Sequence, residues 1–277
     1  MEGANDGFLL SDDENVKKGM EEVRRILRAE RLEKVRLERE RQEKERQMKR
    51  MNRNTLKYIA VVAMLLDHIG MFFVPITTLP GMLLRVVGRL TAPIMCFFLA
   101  EGFRHTSSRK KYGLRLLVFG LISQIPYALA HYGTLLKLDF NMILTLFLSF
   151  LILLVWEDMK GDPRQIPAIV ILLIMSNWCD WGLIGPMFTL AFYICGDNRQ
   201  QQAKVYSILA GMMVLMDVIV MVTSGNHWYG ELWQLGLYLF LPFLFLYNGE
   251  GGSRHPFHKW FFYVVYPLHL LIIYFIK

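Results

Sequence analysis

Cysteine is scarce in this sequence, and no secretory leader is evident at its start. The three cysteines, Cys96, Cys179 and Cys195, are odd in number, widely spaced and set in or beside apolar runs. This pattern predicts neither a disulfide framework nor a metal site. The opening residues, MEGANDGFLLSDDEN, lack a basic segment followed by an apolar core, so no signal peptide is expected. The first apolar helix is therefore expected to direct membrane insertion itself.

Apolar residues dominate what is present. Of the 277 residues, 54% are hydrophobic and 13% are aromatic, and the mean hydropathy is positive at +0.31. A soluble protein of this length is rarely so apolar. The composition therefore predicts an integral membrane protein, with the lipid bilayer as its first partner.

About nine apolar runs of helical length follow one another from Leu56 onward, separated by short polar loops. The expected fold class is all-α: a polytopic integral membrane helical bundle of about nine transmembrane helices, with an N-terminal cytoplasmic charged helix. The fifth and sixth runs are short and interrupted by polar residues, which favours short or tilted helices. The predicted segments are 56–75, 82–103, 113–131, 140–157, 166–178, 182–196, 204–223, 231–247 and 259–276.

Residues 1–53 carry many charges of both signs. Glu is mixed with Lys and Arg at spacings of three and four residues, so this segment is nearly balanced although the whole chain has a formal net charge of +7. It predicts a solvated helical extension, with a coiled coil left open as an alternative. The charge balance argues against nucleic acid as a partner. Residues 54–277 form the second predicted domain.

Lys and Arg concentrate before Leu56 and in the loop RHTSSRKKYGLR, while every second loop has very few of them. Positive charge in short loops marks the cytoplasmic side of a membrane protein. The pattern predicts a multi-pass protein of the plasma (cytoplasmic) membrane with its N-terminus in the cytoplasm.

Asp67 and His68 lie deep inside the first apolar run, LKYIAVVAMLLDHIGMFFVP. An ionisable side chain at a helix centre costs about 2.5–3.5 kcal/mol on insertion scales, so a membrane chain tends to keep one for use or for pairing. Lys57 lies eleven residues before His68, which is roughly 16 Å along a helix and nearly the same face. Asp67 points about 80° away from that face.

Polar side chains of four predicted helices fall at one depth, which predicts a common cavity. They are His68, Arg89, Gln124 and His269. Arg85 and Arg89, one turn apart, either neutralise Asp67 or face an anionic ligand, and both interpretations stay open. His269 could equally form a hydrogen bond to a neighbouring helix.

Two further positions are weaker candidates for substrate contact. Asn141 begins a polar stripe that continues through Thr145 and Ser149, a pattern also typical of helix packing. Glu231 lies near the predicted outer surface.

Five blocks, in order, carry a resemblance to the TraX family. They are LKYIAVVAMLLDHIG, LRVVGRLTAPIMCFFLAEGFRHT, LRLLVFGLISQIPY, NMILTLFLSFL and KWFFYVVYPLHLLII. The resemblance runs from about Leu56 to Lys277. It implies a membrane acyltransferase, since the family is named for the enzyme that acetylates the N-terminus of conjugative pilin.

The chain is more loosely similar to the transmembrane acyltransferase-3 superfamily. Lys57 and His68 match that superfamily's spacing of a basic residue and a histidine in the first helix, and YPLHL resembles its closing histidine motif. Lys57 stands where an arginine is usual, and Ala100, Glu101 and Gly102 depart from its second-helix pattern.

These resemblances imply acetyl transfer from acetyl-CoA, as co-substrate, to an amine or hydroxyl. His68 would be the base, because a histidine is matched to neutral pH, and Asp67 would orient its ring or pair with Arg85 or Arg89. Arg89, Gln124 or His269 would stabilise the oxyanion. The acceptor would be a pilin-like peptide or a carbohydrate.

A basic mouth on the cytoplasmic side would admit the phosphates of the donor. Its predicted members are Lys57, Arg104, Arg109, Lys110 and Lys111. The positive-inside signal alone is an alternative explanation of this cluster. Two other functions also stay open: a transporter with a polar layer in mid-membrane, and a non-catalytic assembly partner.

Overall fold

A computed structural model describes residues 6–48, 51–253 and 255–277, and the chain divides into two units, Met1–Arg50 and Met51–Lys277. In the first unit, helix α1 spans Asp6–Met48. Its residues from 19 to 44 are all exposed, and Arg36 pairs with Glu40 one turn later at 3.0 Å. A helix that is polar all round gains from such pairs. The cytoplasmic location of α1 stays a prediction.

The second unit is built of helices joined by short connections. They are α2 (Arg53–Phe73), α3 (Leu79–Gly88), α4 (Thr91–His105), α5 (Arg109–Tyr132), α6 (Met142–Asp158), α7 (Gln165–Ser176), α8 (Ile184–Ile194), α9 (Arg199–Thr223), a 3₁₀ segment (Trp228–Leu239), α10 (Phe240–Leu246) and α11 (Pro256–Ile276). No strand occurs among the described residues, whose only pairings of the β type are two isolated bridges. The all-α expectation is confirmed for this part of the chain.

Six spans in the described residues are long and apolar enough to cross a membrane. They are Arg53–Phe73, Leu79–His105, Arg109–Tyr132, Arg199–Thr223, Tyr229–Leu246 and Pro256–Ile276. The predicted segments 140–157, 166–178 and 182–196 correspond to shorter helices of 17, 12 and 11 residues. The protein is thus multi-pass, while the count of nine crossings and the orientation stay predictions.

Side-chain caps determine where several helices begin. Asn52 accepts a hydrogen bond from the Thr55 N–H at the start of α2, and Asn141 accepts from Ile143 and Leu144 at the start of α6. Such caps satisfy N–H groups that have no partner within the helix. They fix the helix starts beside the polar residues discussed below.

The core lies around α4, whose side chains are mostly buried. This helix packs against α2, α6 and α8, while α3 packs against α2 and the 3₁₀ segment, and α11 against α5 and α2. Phe97 is at the centre, with its ring 5.6 Å from those of Phe192 and Tyr247. Edge-to-face aromatic packing of this kind adds to burial.

Gly236 in the 3₁₀ segment touches α3 so closely that no side chain fits. A Cβ atom there would overlap the Val86 carbonyl oxygen and lie 2.8 Å and 2.9 Å from the carbonyl carbon and Cα of Val86. Because backbone cannot swing aside, Gly236→Ala should lower the free energy of unfolding by about 1–3 kcal/mol, as overpacking does. Thermal unfolding in detergent measures this. Gly251→Ala is the control, since a Cβ there meets nothing within 4 Å, and an equal Tm for both variants contradicts the contact.

Candidate functional site

One large cavity, of about 1100 Å³, lies along a single face of α2. Arg53, Lys57, Met64, His68 and Met71 line it. From first to last these residues cover five helical turns, or about 27 Å at a rise of 1.5 Å per residue. The cavity therefore follows nearly the whole of α2, and we refer to its Arg53 end and its Asp67 end.

The Arg53 end carries an excess of positive side chains. Arg53 forms an ion pair with Glu101 at 3.2 Å, and Glu101 also accepts a hydrogen bond of 2.7 Å from the Tyr247 hydroxyl. Lys57 has no carboxylate partner within the described residues, and its ammonium lies 5.3 Å from the ring centre of Phe262. Arg115 also lines the cavity. An anionic ligand would be attracted to this end.

Asp67 is shared between two guanidinium groups of the neighbouring α3 region. Its Oδ1 lies 2.8 Å from Arg85 Nη1 and 3.5 Å from Arg89 Nη2. All three side chains are at most 13% exposed, and Arg89 also donates to Gln234. Of the two interpretations of Arg85 and Arg89, the structure shows the one in which they pair with Asp67.

Indole rings cover the two guanidinium groups. The ring centre of Trp233 lies 4.5 Å from the guanidinium carbon of Arg85 and 4.4 Å from that of Arg89. Trp181 lies on the connection after α7, and its ring centre is 4.7 Å from the guanidinium carbon of Arg89. Cation–π contacts of this kind stabilise a desolvated cation. Three separate segments thus meet at the Asp67 end of the cavity.

His68 is oriented by the backbone and not by Asp67. Its Nδ1 lies 2.8 Å from the Met64 carbonyl oxygen, four residues earlier. Because a carbonyl can only accept, Nδ1 carries the proton in the neutral ring and Nε2 has the free lone pair. The ring lines the cavity. An exposed lone pair on a cavity wall is the arrangement that a general base requires.

Two more histidines surround His68. The ring of His269 lies 4.8 Å away and that of His131 lies 6.0 Å away. Each donates Nδ1–H to the carbonyl four residues earlier, at 2.9 Å and 3.0 Å. His131 lines the cavity and His269 does not. Sequence reasoning missed His131, although its spacing of seven residues from Gln124 puts both on one face of α5.

Gln124 and Asn141 support the fold beside the cavity and do not line it. Gln124 donates to the Asp139 carbonyl at 2.7 Å and accepts from Asn141 at 2.8 Å. Ser149 donates to the Thr145 carbonyl at 2.8 Å. The bonds of Gln124 and Asn141 join neighbouring segments, as helix packing requires, whereas the Ser149 bond lies within α6.

Four other predicted site residues lie away from the cavity. Arg104 pairs with Asp197 at 2.9 Å, Lys110 and Lys111 are exposed, and Glu231 is half-buried. None of them lines the cavity, and of the predicted basic mouth only Lys57 does. The basic loop therefore lies outside the described cavity wall, and the positive-inside alternative for it stays a prediction.

Membrane-spanning helices around a polar cavity with histidine, carboxylate and guanidinium groups define the protein as a multi-pass membrane protein with a candidate ligand or catalytic site. A family model described as TraX protein matches residues 52–277. The chain therefore belongs to the TraX family, which confirms the resemblance found in the sequence.

The chain is also similar to two individual proteins. The chain is 34% identical over 230 residues to the probable fimbrial assembly protein FimC, serogroup H1, of Dichelobacter nodosus, covering 79% of this chain and 92% of that protein. It is 36% identical over 73 residues to the uncharacterized protein RP591 of Rickettsia prowazekii strain Madrid E, covering 26% of each. No solved structure matches.

The arrangement at Asp67 predicts that its charge stabilises the fold. Asp67→Asn leaves two buried guanidinium groups without their counter-charge, which should lower the free energy of unfolding by about 3 kcal/mol. The measurement is thermal unfolding of the purified protein in detergent.

Asp162→Asn makes the same chemical change in a surface pair, since Asp162 lies 2.8 Å from an exposed Arg164. It should leave the Tm unchanged. Equal losses of Tm in the two variants would show that the Asp67 charge has no special role in stability.

Proposed function

We propose that the protein is a membrane acyltransferase that moves an acetyl group from acetyl-CoA to an amine or hydroxyl acceptor. The observation that carries this proposal is the free Nε2 of His68, on the wall of a long cavity that has unpaired positive charge at one end. Family membership supports it, because TraX proteins are associated with pilin assembly and acetylation.

The proposed chemistry is a single acyl transfer with His68 as the base. As the acceptor nitrogen or oxygen attacks the thioester carbonyl carbon, its proton passes to His68 Nε2. The tetrahedral intermediate then collapses, the carbon–sulfur bond breaks, and the proton passes from His68 to the departing thiolate. Arg89 lines the cavity and its Nε–H has no partner among the described residues, so this group is a candidate to stabilise the oxyanion.

The donor would enter at the Arg53 end. Lys57, Arg53 and Arg115 line this part of the cavity and would attract the phosphates of acetyl-CoA. Lys57 and His68 are separated by about 16 Å along α2, so a long, thin arm can lie between the phosphates and the thioester. The volume of about 1100 Å³ lies just above the usual range of small-molecule sites, roughly 300–1,000 Å³. Such a volume leaves room for two substrates.

The acceptor would be the N-terminus of a pilin-like protein, with carbohydrate as the alternative. The Dichelobacter nodosus relative is a probable fimbrial assembly protein, which agrees with a pilus-related substrate. With the N-terminus in the cytoplasm, the donor would bind from that side and the acceptor would reach His68 from the Asp67 end.

The length of the cavity also favours a second candidate, a transporter whose histidines relay protons or contact cargo. This candidate predicts uptake by reconstituted vesicles without any acyl donor. The acyltransferase predicts release of free thiol from acetyl-CoA and no such uptake. The two measurements, made on the same preparation, distinguish the candidates.

His68→Ala should abolish acetyl transfer while the protein still folds, because the base is lost and only a small buried ring is removed. Free thiol release by purified protein in detergent measures the effect, which we expect to be 10²-fold or more in kcat. His227→Ala is the matched control, since His227 is exposed and does not line the cavity. Turnover retained by His68→Ala, with Tm unchanged, would remove His68 from the mechanism.

Lys57→Gln should raise the KM for acetyl-CoA about tenfold and leave kcat nearly unchanged, because one charge-assisted contact to phosphate is worth about 1.5–3 kcal/mol. Lys111→Gln makes the same substitution at an exposed position away from the cavity and should change neither constant. A larger KM for acetyl-CoA in Lys111→Gln than in Lys57→Gln would indicate that the donor binds at the basic loop and not at the Arg53 end.

A further inference from the structure

Asp180 contributes a second carboxylate to the Asp67 end of the cavity, on the short connection between α7 and α8. Unlike Asp67, it forms no ion pair within the described part of the chain, and the backbone N–H of Trp181 is the hydrogen-bond donor beside it. A carboxylate on the wall of a membrane-embedded cavity is costly unless a cation meets it.

The backbone around Asp180 is fixed more firmly than that of an ordinary loop. Its N–H donates to the Phe140 carbonyl at 2.6 Å, and its carbonyl accepts from the Thr145 hydroxyl. Trp181, the next residue, has a φ of 63°, the only positive φ of a non-glycine residue among those described. Such a conformation costs roughly 1–3 kcal/mol and persists where surrounding contacts impose it, often at a functional site. The loop thus holds Asp180 at a defined position.

The guanidinium of Arg89, which is near Asp180, already has other partners. Arg89 attracts Asp180 electrostatically, but it is bonded to Asp67 and Gln234 and packed between the rings of Trp181 and Trp233. Arg85, the other cation of this end, lies on Asp67 as well. At the Asp67 end of the cavity, among the described residues, Asp180 is thus the carboxylate without an ion pair.

We propose that Asp180 binds the ammonium group of an amine acceptor and thereby selects an amine over a hydroxyl. This inference rests on the proposed acyltransferase function. A primary ammonium supplies both the missing positive charge and three N–H donors, whereas a hydroxyl supplies no charge. The amine attacks in its neutral form, so the ammonium first releases one proton to bulk solvent, and His68 accepts the second proton during acyl transfer.

The direct test is binding in the absence of any donor. Glycyl-alanine amide carries an ammonium group, and glycolyl-alanine amide has a hydroxyl group of similar size in its place. Equilibrium dialysis of the purified full-length protein at pH 6.5, where an α-amino group with a pKa near ~7.7–8.0 is protonated, compares their affinities. The protein should bind the ammonium compound at least ~tenfold more tightly, about the effect of one charge-assisted contact.

Asp180→Asn should abolish this preference, and Asp180→Glu, which keeps the charge, should retain it. Asp139→Asn is the matched control, because Asp139 lies on the adjacent connection between α5 and α6 and does not line the cavity; it should retain the preference. If Asp180→Asn fails to fold, Asp180→Ser in the same assay takes its place. Equal affinities in the unmutated protein, or a preference that survives loss of the Asp180 carboxylate, would overturn the proposal.

Kinetics separate this inference from the proposed function. In the acetyl-CoA assay, Asp180→Asn should raise the KM for the amine acceptor at least ~tenfold and leave that for acetyl-CoA unchanged. A loss of kcat with an unchanged acceptor KM would make Asp180 a base and overturn the binding role. If the protein shows a preference for the ammonium compound that depends on Asp180 and yet transfers no acetyl group, that result would support the Asp180 site and contradict the proposed acyltransferase function.

Discussion

The sharing of one carboxylate by two buried guanidinium groups is the interaction on which the rest of the site depends. Asp67 belongs to α2, while Arg85 and Arg89 lie in and just after α3, so this contact fixes the two segments against each other. Gly88 makes the approach possible, because a Cβ atom there would overlap the Asp67 side chain. Away from water, charges must be compensated locally, and the indole rings of Trp181 and Trp233 complete that compensation.

The contact of Asp67 with Arg85 and Arg89 also gives the adjacent residues Asp67 and His68 different roles. Successive residues on a helix diverge by about 100°, so a side chain bound to α3 at position 67 leaves position 68 directed elsewhere. His68 therefore faces the cavity and takes its orientation from the Met64 carbonyl. This explains why an aspartate and a histidine side by side need not form a catalytic pair: one holds the helices together and the other is available for chemistry.

The sequence was sufficient for the class of fold and for one face of the site. Hydropathy predicted where the helical segments of the membrane unit lie, and helical periodicity placed Lys57 and His68 on the wall of one cavity. Depth along a helix did not predict the contacts of Gln124. Its side chain bonds to Asp139 and Asn141 and does not line the cavity. Depth says nothing about the rotation of a helix relative to its neighbours. Asp180 lies on a connection, where only tertiary contacts decide its direction.

The distribution of charge along the cavity gives its two ends different chemistry. The Arg53 end has Lys57 without a carboxylate partner among the described residues, and the other end has Asp180 without an ion pair in the same part of the chain. An anionic donor would be attracted by Lys57 at the Arg53 end, and a cationic acceptor would be attracted by Asp180 at the Asp67 end. His68 lies next to Asp67 in the chain, at the end where the two substrates would meet. The described residues that line the cavity all fall within 52–277, the part of the chain that the TraX family model matches.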